Sequence, residues 1–506
     1  MIRRRTVLRV GAGAGAVAAT GFGASTVWAG SNGASWSQLR SRLQGTLVLP
    51  SDPGYTTAKQ LDLGQFDVIS PKAVAYCVSS ADVALCLKFA QDNDLPFAVR
   101  SGGHSTGGYS TSTGLVIDVS KLNSITVGSS TVRVGTGAQG VDVIDALAPH
   151  GLAVVGGYCP TVAVGGFYQG GGLGLLTRSA GVGSDQIVSA KVVLADGRTV
   201  TASPTSNRDL FWAIRGGGGG NFGVVTSYDL KPATVNQVGL INLAFSWDKA
   251  VDMLEGYARW TLDAPRGIGG GAFIQLPDAA SGTPAHPVVF LASTGTPTEL
   301  ESEAARLIAL TGAPVQQSPT AVMPYQQLMM NFFRCGGDTV AQCHRADTTP
   351  GGILPRPAFG LQRSRIFTEL PSRSMWEKAA ALFETLRQPG QIHILEVLPL
   401  GGAVSDVART DTAFVHRDGL FTVNYLSDIE DPAAADSAGR AAAQQFVDDG
   451  FAILDPESAG ETYQNFIDPG LSDWRRSYYA ENYPRLAYVK TKYDPYRAFS
   501  FAQSIR

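Results

Sequence analysis

The sequence predicts a two-domain α+β protein, and three observations carry that prediction. At roughly 100 to 200 residues per domain, a chain of 506 residues is long enough for two or three domains with cores of their own. Up to Leu230-Lys231-Pro232 short apolar runs alternate with amphipathic stretches, whereas from about Asn236 longer amphipathic helices interleave with strands. From Trp474 to Arg506 aromatic and basic residues cluster, as expected of a tail that packs back on the first domain. The expected organisation is an export signal over 1–29, a first domain over 30–235, a second over 236–464 and a returning segment over 465–506.

The elements follow in order. Pro71 to Cys77 is a short apolar run that reads as a strand, and Ser80-Ala81-Asp82 caps an amphipathic helix through Phe89-Ala90. Leu95 to Arg100 returns as a strand. Further β-rich runs stand at Leu115 to Val119, Thr131 to Val134 and Ile187 to Val200, the last turned by Asp196-Gly197. In the second domain helices are expected over Glu299 to Leu310 and Met375 to Leu386, and strands over Gly271 to Gln275 and His393 to Leu398.

Composition excludes several classes. With 40 Lys+Arg against 43 Asp+Glu, a net charge of −3 and no run of five like charges, the chain has no electrostatic footprint for nucleic acid or an anionic membrane, and neither is an expected partner. An apolar content of 44% excludes disordered and disulfide-scaffold classes. The 59 glycines exceed the usual share of about 7%, a surplus that predicts backbone packed closely against something.

Met1 to Ala29 opens with Arg3-Arg4-Arg5-Thr6-Val7-Leu8, continues rich in Gly and Ala, and ends in Val27-Trp28-Ala29, a small-residue cleavage site. It resembles a twin-arginine export signal, and it lacks the roughly 20 strongly apolar residues of a membrane anchor. A secreted protein is expected, and because that route carries folded chains, so is a cofactor acquired before export. The five cysteines form no CxxC pair and the six histidines no HExxH, so no metal site is expected. In an oxidising compartment Cys335 can pair with Cys343; Cys77 and Cys86 are the second candidate pair, and Cys159 is left over.

The chemistry concentrates in two glycine-rich segments. Arg100-Ser101-Gly102-Gly103-His104-Ser105-Thr106-Gly107-Gly108 directly follows a strand, and consecutive glycines let backbone N–H groups converge on a phosphate. The second runs from Gly156-Gly157-Tyr158-Cys159-Pro160-Thr161-Val162 through Gly165-Gly166 to Gly170-Gly171-Gly172. Two such loops suit a pyrophosphate. Neither has the Rossmann spacing nor ends in Gly-Lys-Ser/Thr, so nicotinamide and P-loop readings fail. A histidine inside a phosphate nest has no aliphatic packing, and the leftover cysteine sits in the other loop.

Together with Tyr478-Tyr479-Ala480-Glu481-Asn482-Tyr483-Pro484-Arg485-Leu486 and Lys490-Thr491-Lys492-Tyr493-Asp494-Pro495, these segments resemble the berberine-bridge-enzyme-like oxidases of the vanillyl-alcohol-oxidase superfamily. The resemblance covers nearly all of the chain beyond the signal. It implies that superfamily's two-domain α+β fold: a PCMH-type FAD-binding domain over 30–235, a substrate domain with an antiparallel sheet over 236–464, and a berberine-bridge-like segment over 465–506. It also implies FAD held bicovalently, through a histidine on the 8α-methyl and a cysteine on C6 of the isoalloxazine, which by resemblance are His104 and Cys159. Ser101, Gly102, Gly103, Ser105, Gly108 and Tyr109 are then expected along the first pyrophosphate loop, and Gly165, Gly166, Gly170, Gly171 and Gly172 along the second. Val188, with Ile187, is expected to give backbone contacts near the adenine, and Asn482 is expected near the flavin or ribityl oxygens.

For catalysis the resemblance implies a base for a substrate hydroxyl and a flavin that takes the hydride. Tyr478 matches the family's active-site tyrosine, with Tyr479 as fallback. His416 to Tyr425 resembles the strand of the substrate domain that faces the flavin, and alternation puts Thr422 and Asn424 on one face. Relatives carry a carboxylate, glutamine or tyrosine where Asn424 stands; an amide is no general base, which leaves proton abstraction to the tyrosine. Val162 matches a position where valine in relatives goes with oxygen access. The expected activity is oxidation of a carbinol of a sugar, an oligosaccharide or a glycosylated natural product, with O2 reduced to H2O2. Oxidative cyclisation or desaturation of a secondary metabolite is the alternative within enzymes, and a non-catalytic flavin- or carbohydrate-binding protein the alternative of another class. Trp247, Trp260 and Trp376 either stack on sugar faces or belong to the core.

Overall fold

The computed structural model describes residues 35–506; the expected export signal lies outside the described residues. In the first domain the alternation of strand and helix builds a sheet in the order Thr46–Val48, Ala73–Tyr76, Leu115–Asp118, Phe97–Arg100. Both Ala73–Tyr76 and Phe97–Arg100 run parallel to Leu115–Asp118. The crossover helix Ser80–Asp92 buries Val83, Cys86, Leu87 and Ala90, a stripe at helical spacing. Its cap is Ser79, one residue before the expected Ser80, with the hydroxyl accepting the Asp82 N–H. Cys77 and Cys86 meet in this core with their sulfurs 4.0 Å apart, and both are free thiols, so the second candidate disulfide is not formed. Cys335 and Cys343 do form a disulfide.

A five-stranded antiparallel sheet follows, in the order Ile125–Val127, Val132–Gly135, Val224–Leu230, Ile187–Val193, Thr199–Ala202. The expected hairpin turn inside the Ile187 to Val200 run is present, with Gly197 at φ +85°.

The second domain is built on an eight-stranded antiparallel sheet in which Ile268–Leu276, Gln391–Pro399, Phe421–Ile429 and the edge strand Phe359–Phe367 follow one another. One face packs Leu395, Val397, Val423 and Tyr425 against the helices Ala250–Thr261, Arg373–Ala381 and Ser437–Leu454. Trp260 and Trp376 lie wholly buried in that core. The helix expected to reach Leu386 ends at Ala381, and Leu386 itself adopts φ +50°.

The opposite face is set by register. Directly opposed residues share a face, so Gly360, Asp428 and Ile392 form one row, and Gln362, Leu426 and Ile394 the next. Ser364, Asn424 and Glu396 form the third. The tail returns to the first domain as expected: the buried Lys490 ammonium donates to the Asn221 carbonyl and to Asp494, both at 2.7 Å.

Candidate active site

One cavity of about 770 Å³ lies between the glycine loops, the polar face of the large sheet and the C-terminal segment. The first loop is anchored at its root, where the buried Arg100 guanidinium pairs with Asp118 on the neighbouring strand and donates to the Ala58 carbonyl. Gly102 then brings this loop against the second: a Cβ there would stand 2.7 Å from the Ala163 nitrogen, a separation only glycine permits. This approach puts both expected attachment residues around one hydroxyl. Thr161 Oγ1 lies 2.9 Å from His104 Nε2 and 3.7 Å from Cys159 Sγ. On its other nitrogen His104 faces Asp62, with Nδ1 3.3 Å from Oδ2. The Cys159 thiol is open to the cavity yet walled in by protein, and desolvation, with Asp62 nearby, pushes its pKa up to about 11.

Ser101, Gly102, Gly103, Ser105, Gly108, Tyr109, Gly165 and Gly166, expected along the pyrophosphate loops, all line the cavity. Two other expectations are corrected. Gly170, Gly171 and Gly172 do not line it; they let Phe414 and the Tyr463–Asn465 segment approach closely. A Cβ on Gly170 would meet Asn465 Oδ1 at 1.9 Å and one on Gly171 would meet Phe414 at 2.6 Å, while the Gly172 N–H donates to Tyr463 Oη at 2.8 Å. Asn482 is spent on the main chain, donating to the Arg409 and Thr412 carbonyls at 2.8 and 3.2 Å. The Val188 side chain is 41% exposed on the five-stranded sheet, and the backbone contact expected there does not depend on it.

Tyr478 and Tyr479 are in the cavity wall, but their hydroxyls are tied down. The Tyr478 oxygen accepts the Asp468 N–H at 2.9 Å, and the Tyr479 hydroxyl donates to the Gly217 carbonyl at 3.1 Å. Burial raises both phenols far above their ordinary range. Neither is positioned as a free proton acceptor.

The phenol that sits at the glycine cluster is Tyr463, which sequence reasoning missed. Its oxygen accepts the Gly172 N–H and the Asn465 amide, each at 2.8 Å. Its segment is locked from behind by His416, whose two ring nitrogens lie 2.7 Å from Glu461 Oε2 and 3.0 Å from Gln464 Oε1. Tyr463-Gln464-Asn465-Phe466-Ile467 lines the cavity as one run, and the available signal was an aromatic and amide run just before the tail.

Glu396 and Asp428 were also missed. They line the cavity on the polar face of the sheet, together with Gln362. Asn424 lies beneath, donating its amide to Gln362 Oε1 at 3.0 Å and to Glu396 Oε1 at 2.9 Å. Neither acid has a cationic partner among the described residues. Desolvation pushes each carboxyl up to about 7; the Asn424 hydrogen bond works against the rise at Glu396, and the Asp62 charge adds to it at Asp428. Asn424 thus orients an acid on the next strand. The signal in sequence was one carboxylate inside an apolar strand, Leu395-Glu396-Val397.

The walls fit FAD. Among the described residues, the consecutive N–H groups of Gly102 through Thr106 have no protein acceptor, which is the arrangement an anionic pyrophosphate requires. Thr111 adds a buried hydroxyl without a partner on the same cavity. His104 and Cys159 supply nucleophilic atoms at one place in that wall.

Comparison with known proteins agrees with this geometry. A family model described as FAD binding domain matches residues 71–203, and one described as berberine and berberine like matches 462–506, beginning one residue before Tyr463. The fold is similar to that of Physcomitrella patens BBE-like 1, with a TM-score of 0.82 and 22% identity over 93% of this chain and 98% of that one. It is likewise similar to Acremonium strictum glucooligosaccharide oxidase, with a TM-score of 0.81 and 22% identity over the same shares. In sequence the chain is 31% identical over 481 residues to the uncharacterized FAD-linked oxidoreductase YgaK of Bacillus subtilis (strain 168), covering 92% of this chain and 98% of the relative. A match of that extent, with the tail motif and the two-domain fold in register, makes this chain a member of the berberine-bridge-enzyme-like family of FAD-linked oxidoreductases.

Proposed function

We propose that the protein is an exported FAD-dependent oxidase that removes hydride from the carbinol C–H of a sugar, an oligosaccharide or a glycosylated natural product. The observation that carries this reading is Glu396: a carboxylate in the cavity wall, oriented by Asn424 and without a cationic partner, whose pKa stands at about 7. A base of that strength is matched to taking a hydroxyl proton near neutral pH. FAD, when bound between the two glycine loops, would supply the hydride acceptor, with dioxygen as oxidant and H2O2 as product. Gln362 and Asp428, on the same sheet face, offer an amide and a carboxylate to further hydroxyls of the substrate. In this reading His104 and Cys159 hold the FAD covalently, supported by their position on either side of the Thr161 hydroxyl. Val162, which lines the cavity, supports dioxygen as acceptor. Export rests on the Arg3-Arg4-Arg5 segment, and the Cys335–Cys343 disulfide supports an oxidising destination.

The test is anaerobic mixing of the flavin-loaded protein with mono- and oligosaccharides and aromatic glycosides while the flavin absorbance is followed. Bleaching by a carbohydrate is expected, with recovery on admitting air. A panel that leaves the flavin oxidised throughout would refute the carbohydrate reading and favour a dedicated tailoring reaction.

A further inference from the structure

The cavity is one-sided in charge. Among the described residues Asp62, Glu396 and Asp428 line it and no lysine or arginine does, so the one group on its wall able to carry positive charge is the His104 ring. Glu396 is held by the Asn424 amide. The Asp428 carboxylate has no hydrogen-bond or ion-pair partner among the described residues. It lies over Gly360, where a Cβ would run into its Oδ1. Asp62 stands close enough for its charge to act on Asp428, and its own carboxylate meets only His104 Nδ1, at 3.3 Å.

Register spaces these groups along the sheet face. Glu396, Gln362 and Asp428 stand in successive rows, each two residues from the next. At about 3.4 Å per residue, Glu396 and Asp428 are therefore roughly 14 Å apart along the strands. Between them Gln362, 9% exposed, accepts the Asn424 amide on Oε1, which leaves its own NH2 facing the cavity without an acceptor among the described residues. A buried amide donor of that kind needs an acceptor. A ligand lying along this face meets, in order, a proton acceptor, a donor, and a carboxylate with a second one close by.

We infer that the substrate is an elongated glycan or glycoside carrying a free ammonium group, which pairs with Asp428 while the reacting carbinol stands at Glu396. The inference rests on the carbohydrate reading given above and narrows it. A hydroxyl satisfies one lone pair of Asp428, but a neutral ligand that displaced water here would leave neighbouring like charges desolvated, which is costly. An ammonium brings several donors and the opposite charge. The spacing also fixes where it sits: on a part of the substrate beyond the reacting sugar, because a single ring does not reach from one acid to the other.

The experiment follows anaerobic flavin reduction in the flavin-loaded protein, wild type and Asp428→Asn, at neutral pH. The probes are cellotriose and maltotriose, the same trisaccharides with an aminomethyl group in place of the hydroxymethyl group on the non-reducing glucose, the N-acetylated forms of those amines, and the single sugar bearing the aminomethyl group. In the wild type the amine on a trisaccharide should lower the concentration for half-maximal reduction rate by roughly 10- to 100-fold, the usual strength of a hydrogen bond to a charged group. Acetylating the amine, or moving it to the single sugar, should remove that gain. Asp428→Asn should treat amine and neutral trisaccharides alike, whereas a merely structural part for Asp428 would weaken both and keep their ratio. A flavin left oxidised by every sugar overturns the carbohydrate reading and the inference with it. Reduction by neutral trisaccharides with no gain from the amine overturns the inference alone, as does a gain that survives acetylation, that is equal on the single sugar, or that persists in Asp428→Asn. If Asp428→Asn does not fold, the acetylated trisaccharide and the single sugar decide on the wild type.

Discussion

Replacing Glu396 by glutamine should lower activity and raise stability together, and the structure sets the size of each effect. The variant is isosteric and keeps an oxygen for the Asn424 amide, so the fold should be unchanged. Loss of a general base slows the chemical step by about 10²- to 10⁴-fold, or roughly 3 to 5 kcal/mol at 1.36 kcal/mol per tenfold. Burial holds the wild-type carboxyl at about 7 against an ordinary 4.5, so between those values the folded chain binds a proton that the unfolded chain does not. Stability is therefore full below pH 4.5 and declines as pH rises toward 7, by roughly 3 kcal/mol above it. Glutamine has no charge to bury and escapes that loss. Stopped-flow flavin reduction should show a wild-type rate that climbs with pH to a plateau above 7, and a slow, flat profile in the variant. Thermal unfolding should show equal stability at pH 4 and a more stable variant at pH 8. A variant that reduces its flavin at the wild-type rate, or that keeps the inflection near 7, would refute the assignment.

Other perturbations separate neighbouring roles. Asp428, also held at about 7 by burial, predicts that Asp428→Asn gains roughly 4 kcal/mol above pH 7 but retains the rate inflection, because the inflection belongs to Glu396; its disappearance in stopped-flow would exchange the two acids. Gly171 sits at φ +117° with a Cβ position 2.6 Å from Phe414, so Gly171→Ala should lose about 1 to 3 kcal/mol by denaturant unfolding and loosen the Tyr463 segment. Arg417, 1% exposed, grips Asp185 with two bonds of 2.7 and 2.8 Å; Arg417→Met strands that carboxylate and should cost about 3 to 5 kcal/mol, measured as a lowered unfolding midpoint.

Much of the fold was legible because strand and helix periods, turn glycines and caps are local properties. The Ile187 to Val200 hairpin, the helix after Ser79 and the Cys335–Cys343 pair need only near neighbours in sequence. The pair around the Thr161 hydroxyl was legible for a related reason: His104 and Cys159 stand inside glycine runs, and a glycine run reports that the backbone must approach something. What it does not report is the identity of that neighbour. Gly102 closes against the other loop, whereas Gly170 and Gly171 close against Asn465 and Phe414, more than 200 positions away in sequence.

The proposed base was illegible for a stricter reason. Tyr478 and Tyr463 are both tyrosines near the tail, and only the three-dimensional path shows that the Asp468 N–H occupies the first hydroxyl while the second faces Gly172. Glu396 and Asn424 are 28 positions apart, and their bond depends on the register of two strands. A shift of one residue in that register would turn Glu396 toward the helices and leave a buried charge among Val423, Tyr425 and Phe446. The core on one face therefore fixes the chemistry on the other: the apolar alternation of Leu395, Val397, Val423 and Tyr425 holds the register, and the register places the acid in the cavity. Variants that weaken this packing without touching the cavity should then lower the reduction rate by misplacing Glu396, in proportion to the apolar area they remove.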